Sequence, residues 1–166
     1  MQPGETLLVS GAAGGVGSAV VQIARQRVFT VIGTASESNQ NHLRSLGAIA
    51  TTYGDGLVDR VRAIAAGGVD AALDIAGSGV IPELSELTGA PSKVLSIADF
   101  SAPEHGAQVS GTATDARPAF AGVARLFSEG SFRLAVDRTF PLDEAAQAQT
   151  ASAAGHVAGR IVITVS

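Results

Sequence analysis

The chain has 166 residues, of which 46% are hydrophobic and 16% charged, with a formal net charge of −4. That length closes one ordinary hydrophobic core, and that balance excludes a disordered chain. The arginines are scattered and Lys93 is the only lysine, so there is no basic face for nucleic acid. The lack of cysteine excludes disulfides, thiolate zinc sites and thiol catalysis. No apolar run reaches membrane-spanning length, and the first strand follows Met1 too closely for a signal peptide. The expectation is a soluble cytoplasmic protein.

The patterns alternate along the chain. Residues 6–10 (TLLVS) form a short continuous apolar run, which predicts a strand covered on both faces. Residues 14–26 read as a helix with Val16, Val20, Ile23 and Ala24 on its inward face. A second strand is predicted over 30–35. A short helix over 39–46 follows, stopped by Gly47. The third strand spans 49–53, and the third helix 57–66 turns Leu57, Val61, Ile64 and Ala65 inward. Strand 69–75, helix 80–87, strand 93–98 and a short edge strand over 108–111 continue the rhythm. Such alternation implies parallel pairing through right-handed crossovers. The fold class is α/β, a Rossmann-type doubly wound sheet with helices on both faces. A helix over 116–128 follows, and then the pattern changes to an extended stretch over 132–140, an Ala/Gln-rich helix over 142–154 and a last strand over 160–165.

The first strand enters the turn Gly11-Ala12-Ala13-Gly14-Gly15-Val16-Gly17, which opens the first helix. A strand–turn–helix of this kind aims free N–H groups and a positive dipole end at one point, where a pyrophosphate binds. Gly14 lets the backbone approach the phosphates and Gly17 lets helix and strand pack closely. Ala12 stands where the usual first glycine would be. A Walker loop is excluded because Ser18, not lysine, follows Gly17.

The end of the second strand bears on which dinucleotide is held. An NAD site places Asp or Glu there to bind the ribose hydroxyls, whereas this chain has Thr34-Ala35-Ser36. Ser36 and Ser38 can donate to a 2′-phosphate, with His42 and Arg44 as nearby candidate cations. Glu37 reads as first-turn helix charge, although it stands near the acidic position. NADP(H) is favoured over NAD(H).

With these residues in place, the sequence resembles the medium-chain dehydrogenase/reductase superfamily, in its zinc-free quinone oxidoreductase-like (zeta-crystallin-like) branch. The matching stretches are GETLLVSGAAGGVGSAVVQI from Gly4, LRSLGA from Leu43, VDAALDIAG from Val69, and residues 140–165 with the ending GHVAGRIVITV. The resemblance implies hydride transfer from NADPH to quinones, enones or related activated double bonds. It implies that Ala13, Gly14, Gly15 and Val16 hold the pyrophosphate and Ser36 the adenosine phosphate. Tyr53 would lie by the adenosine ribose or its phosphate, and Gly77, Ile97 and Ala98 would line the nicotinamide side. It further implies a homodimer through the edge strand near 108–111, and a cofactor domain over 1–130 whose companion segment, 131–166, packs on a GroES-like catalytic domain.

Three departures stand out. Ser38 replaces a usual basic residue, and Val28 replaces the glycine that usually ends the first helix, so that loop is expected to run differently. The chain also begins at the linker to the first strand, so the GroES-like domain is expected to be missing, and the chain alone to bind cofactor without turnover. A non-catalytic NAD(P)-sensing module and a partner that completes the cleft in trans stay open. A short-chain dehydrogenase is excluded, because Leu57 stands four residues after the only tyrosine, Tyr53. A methyltransferase lacks its acidic ribose ligand. His42, His105 and His156 show no metal-binding spacing.

Overall fold

The computed structural model describes residues 1–111 and 115–165. Six parallel strands form one sheet: β1 (Thr6–Ser10), β2 (Thr30–Thr34), β3 (Ile49–Thr51), β4 (Ala71–Asp74), β5 (Val94–Ser96) and β6 (Gln108–Val109). Their spatial order is β3-β2-β1-β4-β5-β6, the strand order of a dinucleotide-binding Rossmann sheet. The helices between them are α1 (Gly15–Gln26), α2 (Gln40–Ser45), α3 (Leu57–Ile64) and α4 (Ile81–Thr88).

The apolar runs explain the layers. Alternate side chains of a strand point to opposite faces. Leu8 and Ile32 accordingly join α3 and α4 through Leu57, Val61, Ile81 and Leu84. Leu7, Val9 and Val31 meet α1 and α2 on the other face through Val21, Ala24 and Leu43. Each fully buried Leu or Ile contributes about 1.5–3 kcal/mol by leaving water. No helix among the described residues is long and apolar enough to cross a membrane.

Most strands are a few residues shorter than expected, although single backbone hydrogen bonds such as Ile75 N–H to Ser10 O continue past their ends. Residues 37–39 form a 3-10 turn leading into α2, so the helix expected from 39 is regular only over Gln40–Ser45. The inward face of α1 also differs from expectation. It buries Gly17, Ser18, Val21, Gln22 and Ala24, whereas Val16 is 50% exposed. Gln22 is tolerated inside because its amide is satisfied. Its Nε2 donates to the Ser18 and Arg133 carbonyls, and its Oε1 accepts from Arg133 N–H at 2.8 Å.

Val28 corrects a second expectation. It does take the left-handed conformation, with φ +64°. Phe29 N–H bonds Ala24 O at 3.2 Å and Gly4 N–H bonds Val28 O at 2.9 Å, which fixes the turn. The branched side chain is 66% exposed, so it strains the backbone without clashing with the core.

Beyond the sheet come α5 (Arg117–Ser128), β7 (Val136–Pro141), α6 (Ala145–Ala153) and β8 (Arg160–Thr164). β7 and β8 pair in parallel as a separate two-stranded sheet. This C-terminal segment returns to the Rossmann layer. Arg133 meets Gln22, Asn39 Nδ2 donates to the His156 carbonyl at 3.1 Å, and Gly159 pairs with Gly14.

Candidate functional site

The glycine turn is fixed from both flanks. Gly11 has φ +74°, and its N–H donates to Thr34 Oγ1 at 3.2 Å while Ala12 N–H donates to Thr34 O at 3.0 Å. β2 thus holds the turn that leaves β1. Gly14 caps α1 in an extended conformation, with no side-chain cap and no acidic residue in the first turn. The first N–H groups of a helix have no intrahelical acceptor, so Gly15 and Val16 offer theirs outward with the positive dipole end. A Cβ on Gly17 would lie 2.6 Å from Ala12 Cα, so only glycine allows α1 to sit this close to the turn.

These elements edge a cleft of about 600 Å³. Six of the residues expected from sequence meet in its lining: Ala13, Gly14, Gly15, Val16, Ser36 and Tyr53. Ser38 stands beside it, its Oγ 3.0 Å from Ser36 Oγ. Gly77, Ile97 and Ala98 do not reach the lining, although Ala76 and Ser78 on either side of Gly77 do. Gly77 (φ +63°) packs on Ala98 instead, where an added Cβ would meet the Ala98 Cβ at 3.0 Å. Those two loops therefore brace one another.

Asp74 explains how. It is fully buried at the end of β4, and its Oδ1 accepts from Ala76 and Gly77 N–H at 3.2 and 3.1 Å. Ser96 Oγ donates to Asp74 Oδ2 at 2.8 Å and accepts from the amides of Ala98 and Asp99. The carboxylate bonds nearby backbone and ties the loops after β4 and β5 together.

No carboxylate lines the cleft among the described residues; its basic side chains are His156 and Arg160. Neither was expected from the sequence as a site residue. Gly159 has φ +99° and its N–H bonds Ala13 O at 2.9 Å, which sets Arg160 against the turn, a contact that the sequence spacing does not signal. His42 and Arg44, considered as phosphate cations, lie outside the lining. His42 Nε2 is 2.9 Å from Ser18 Oγ, which also lies 3.1 Å from Ala13 O. Arg44 bonds Asn41. Glu37 is exposed in the first turn of its short 3-10 helix and is not part of the lining, although Ser36 and Asn39 are. Near the cleft mouth, the Arg138 guanidinium, and secondarily the Ala158 amide, hold the Asp137 carboxyl below the usual aspartate range.

The model of the family described as zinc-binding dehydrogenase matches residues 46–163. The chain belongs to that family. It lies in the medium-chain dehydrogenase/reductase superfamily, in the quinone oxidoreductase-like branch. The chain does not fit the zinc of the family's description. It has no cysteine, and among the described residues no three His, Asp or Glu side chains stand together as a metal site. The quinone oxidoreductase from Coxiella burnetii is 28% identical with a TM-score of 0.81, over 99% of this chain and 54% of that one. The human synaptic vesicle membrane protein VAT-1 homolog is 40% identical over 84 residues, 46% of this chain and 20% of that protein. The pikromycin polyketide synthase component PikAII of Streptomyces venezuelae is 55% identical over 47 residues, 28% of this chain and 1% of that protein. The chain therefore spans about half of the solved relative and matches a smaller part of the other two.

Proposed function

We propose that this chain is the NADP(H)-binding domain of an oxidoreductase that reduces quinones, enones or similar conjugated carbonyls. One observation carries the reading: an uncapped helix N-terminus and Ser36 share a cleft whose lining includes no carboxylate. An NAD-preferring site needs an acid at the end of β2. Here that place holds Ser36 beside Ser38, and Glu37 is turned to solvent.

In this reading Ala13, Gly14, Gly15 and Val16 take the pyrophosphate, Ser36 and Ser38 the 2′-phosphate, and Tyr53 the adenosine ribose. Gly77, Ile97 and Ala98 stand toward the nicotinamide, held in place through Asp74 and Ser96. The cofactor supplies the hydride, and the chain supplies orientation. Hydride transfer also needs a closed, dry site. Gly77, Ile97 and Ala98 lie outside the lining of this cleft, so in this reading the 166-residue chain alone binds cofactor without appreciable turnover. The name of one relative, a quinone oxidoreductase, supports a quinone-like substrate. The protein is cytoplasmic and dimerises through β6, which ends the sheet. Phe120 and Phe127, exposed at 72% and 60% on α5, add apolar surface for further contacts.

Titration with NADPH and NADH, on the wild type and on Ser36→Asp, tests the assignment. The wild type should prefer NADPH, and the substitution should shift preference toward NADH. A wild type that prefers NADH sinks the cofactor assignment, and quinone-dependent NADPH oxidation by the chain alone sinks the inactive-domain reading.

A further inference from the structure

We propose that Arg60, on α3, is the positioning residue of Tyr53: its guanidinium fixes the loop that presents this ring to the cleft. The inference rests on the cofactor reading of the cleft, since a ring set at the adenosine ribose is what the loop would serve.

Tyr53 has no anchor of its own. Its side chain is 55% exposed at the cleft edge, and its hydroxyl makes no hydrogen bond among the described residues. The ring therefore goes where its backbone goes, and that backbone is held from α3. Arg60 Nη1 donates to Asp55 O at 2.7 Å, and its Nη2 reaches the carbonyls of Thr52, Tyr53 and Gly54 at 3.1, 3.3 and 3.2 Å. Carbonyl oxygens gathered around one point repel one another, and a cation among them turns that repulsion into attraction. The chain can curl this way because Gly54 and Gly56 take left-handed φ of +80° and +75°. A Cβ on Gly56 would lie 3.0 Å from Arg60 Nη1, so this glycine also leaves the guanidinium its place.

Nothing else accounts for an arginine here. α3 does not call for one, because Arg60 stands near its positive N-terminal end, where the helix dipole disfavours a cation. Arg62 on the same helix pairs with Glu86, whereas Arg60 makes no ion pair among the described residues. Its Nε is buried without a partner. An N–H left unpaired is a cost. Arg60 bears that cost while both terminal nitrogens serve the loop.

Tyr53 is the only tyrosine and the chain has no tryptophan, so tyrosine fluorescence reports this loop alone. Its anisotropy in the ligand-free chain is measured for wild type, Arg60→Met and Arg60→Lys, alongside far-UV circular dichroism and calorimetric titration with NADPH and NADH. R60M should keep the wild-type dichroism, lower the Tyr53 anisotropy and bind both dinucleotides about three- to tenfold more weakly. R60K should recover part of both losses. In a Tyr53→Ala background, Arg60→Met should cost no further affinity, because a residue that acts through the ring has nothing left to act on. Should R60M fail to fold, R60Q takes its place with the same expected results. Unchanged anisotropy overturns the proposal, as does a full further loss of affinity in the Tyr53→Ala background. Lower anisotropy with unchanged affinity overturns it too, since the loop is then held for some other purpose. A wild type that binds neither dinucleotide fails the cofactor reading itself, while the anisotropy still decides whether Arg60 holds the loop.

Discussion

The Cβ of Ala12 occupies the space that a side chain at Gly33 would need, since a Cβ added to Gly33 would come within 2.8 Å of it. Leu43 Cδ1 closes the same gap from α2 at 3.1 Å. The alanine in the first glycine position of the turn is therefore accommodated by a glycine on the neighbouring strand. Gly33→Ala should destabilise the fold by about 1–3 kcal/mol through overpacking. Ala12→Gly in the same chain should recover part of that loss. Urea unfolding of the two single variants and the double variant measures the coupling, and strict additivity would show that the two sites do not share this space.

Val28 holds a left-handed conformation that costs an L-residue about 1–2 kcal/mol, whereas glycine loses about 0.5–1 kcal/mol in unfolded-chain freedom. Val28→Gly should then stabilise the protein by about 0.5–1 kcal/mol. A lowered urea midpoint for this exposed position would contradict the strain seen at φ +64°.

The buried Asp74 accepts three hydrogen bonds, from two amides and the Ser96 hydroxyl. Asp74→Ala should cost about 3 kcal/mol, since each buried donor left unpaired costs about 1–3 kcal/mol. Ser96→Ala should cost less, because Asp74 keeps its two amide donors. The double variant should lose less than the sum of the two, since both belong to one network. Thermal unfolding followed by circular dichroism reads all three.

Asp137 provides a pH test. Its carboxyl is held low by Arg138 and, secondarily, by the Ala158 N–H at 3.4 Å. A depressed pKa contributes stability above the unfolded value, near pH 3.9, which is lost as pH falls through the lower folded value. Acid below about pH 4 should therefore loosen the β7–β8 end of the cleft. Asp137→Asn should flatten that part of the acid-unfolding curve; an unaltered curve would mean that this carboxyl does not hold the segment.

The doubly wound parallel sheet and its two helical layers were legible in the sequence, because alternating apolar runs and crossovers admit few arrangements. Ser36 and the glycine turn were legible because their chemistry is local. The inward face of α1 was not: Gln22 reads as a surface residue until Arg133, far along the chain, satisfies its amide. The same holds for Arg160 and His156. Their place in the cleft depends on β8 folding back onto the turn, and spacing along the chain carries no trace of that return.

The junction of Gly159 with Ala13 also sets an order of events during synthesis. The turn leaves the ribosome well before the strand that overlies it, which comes about 145 residues later in the chain. At about 5–20 residues per second, the interval is on the order of ten seconds. Through that interval the six-stranded sheet can assemble, while the cleft still lacks the wall that residues 155–161 provide. A ligand that binds only the finished pocket would then favour docking of the last strand by mass action. Cofactor supply would thereby act on the maturation of the newly made chain as well as on its finished form.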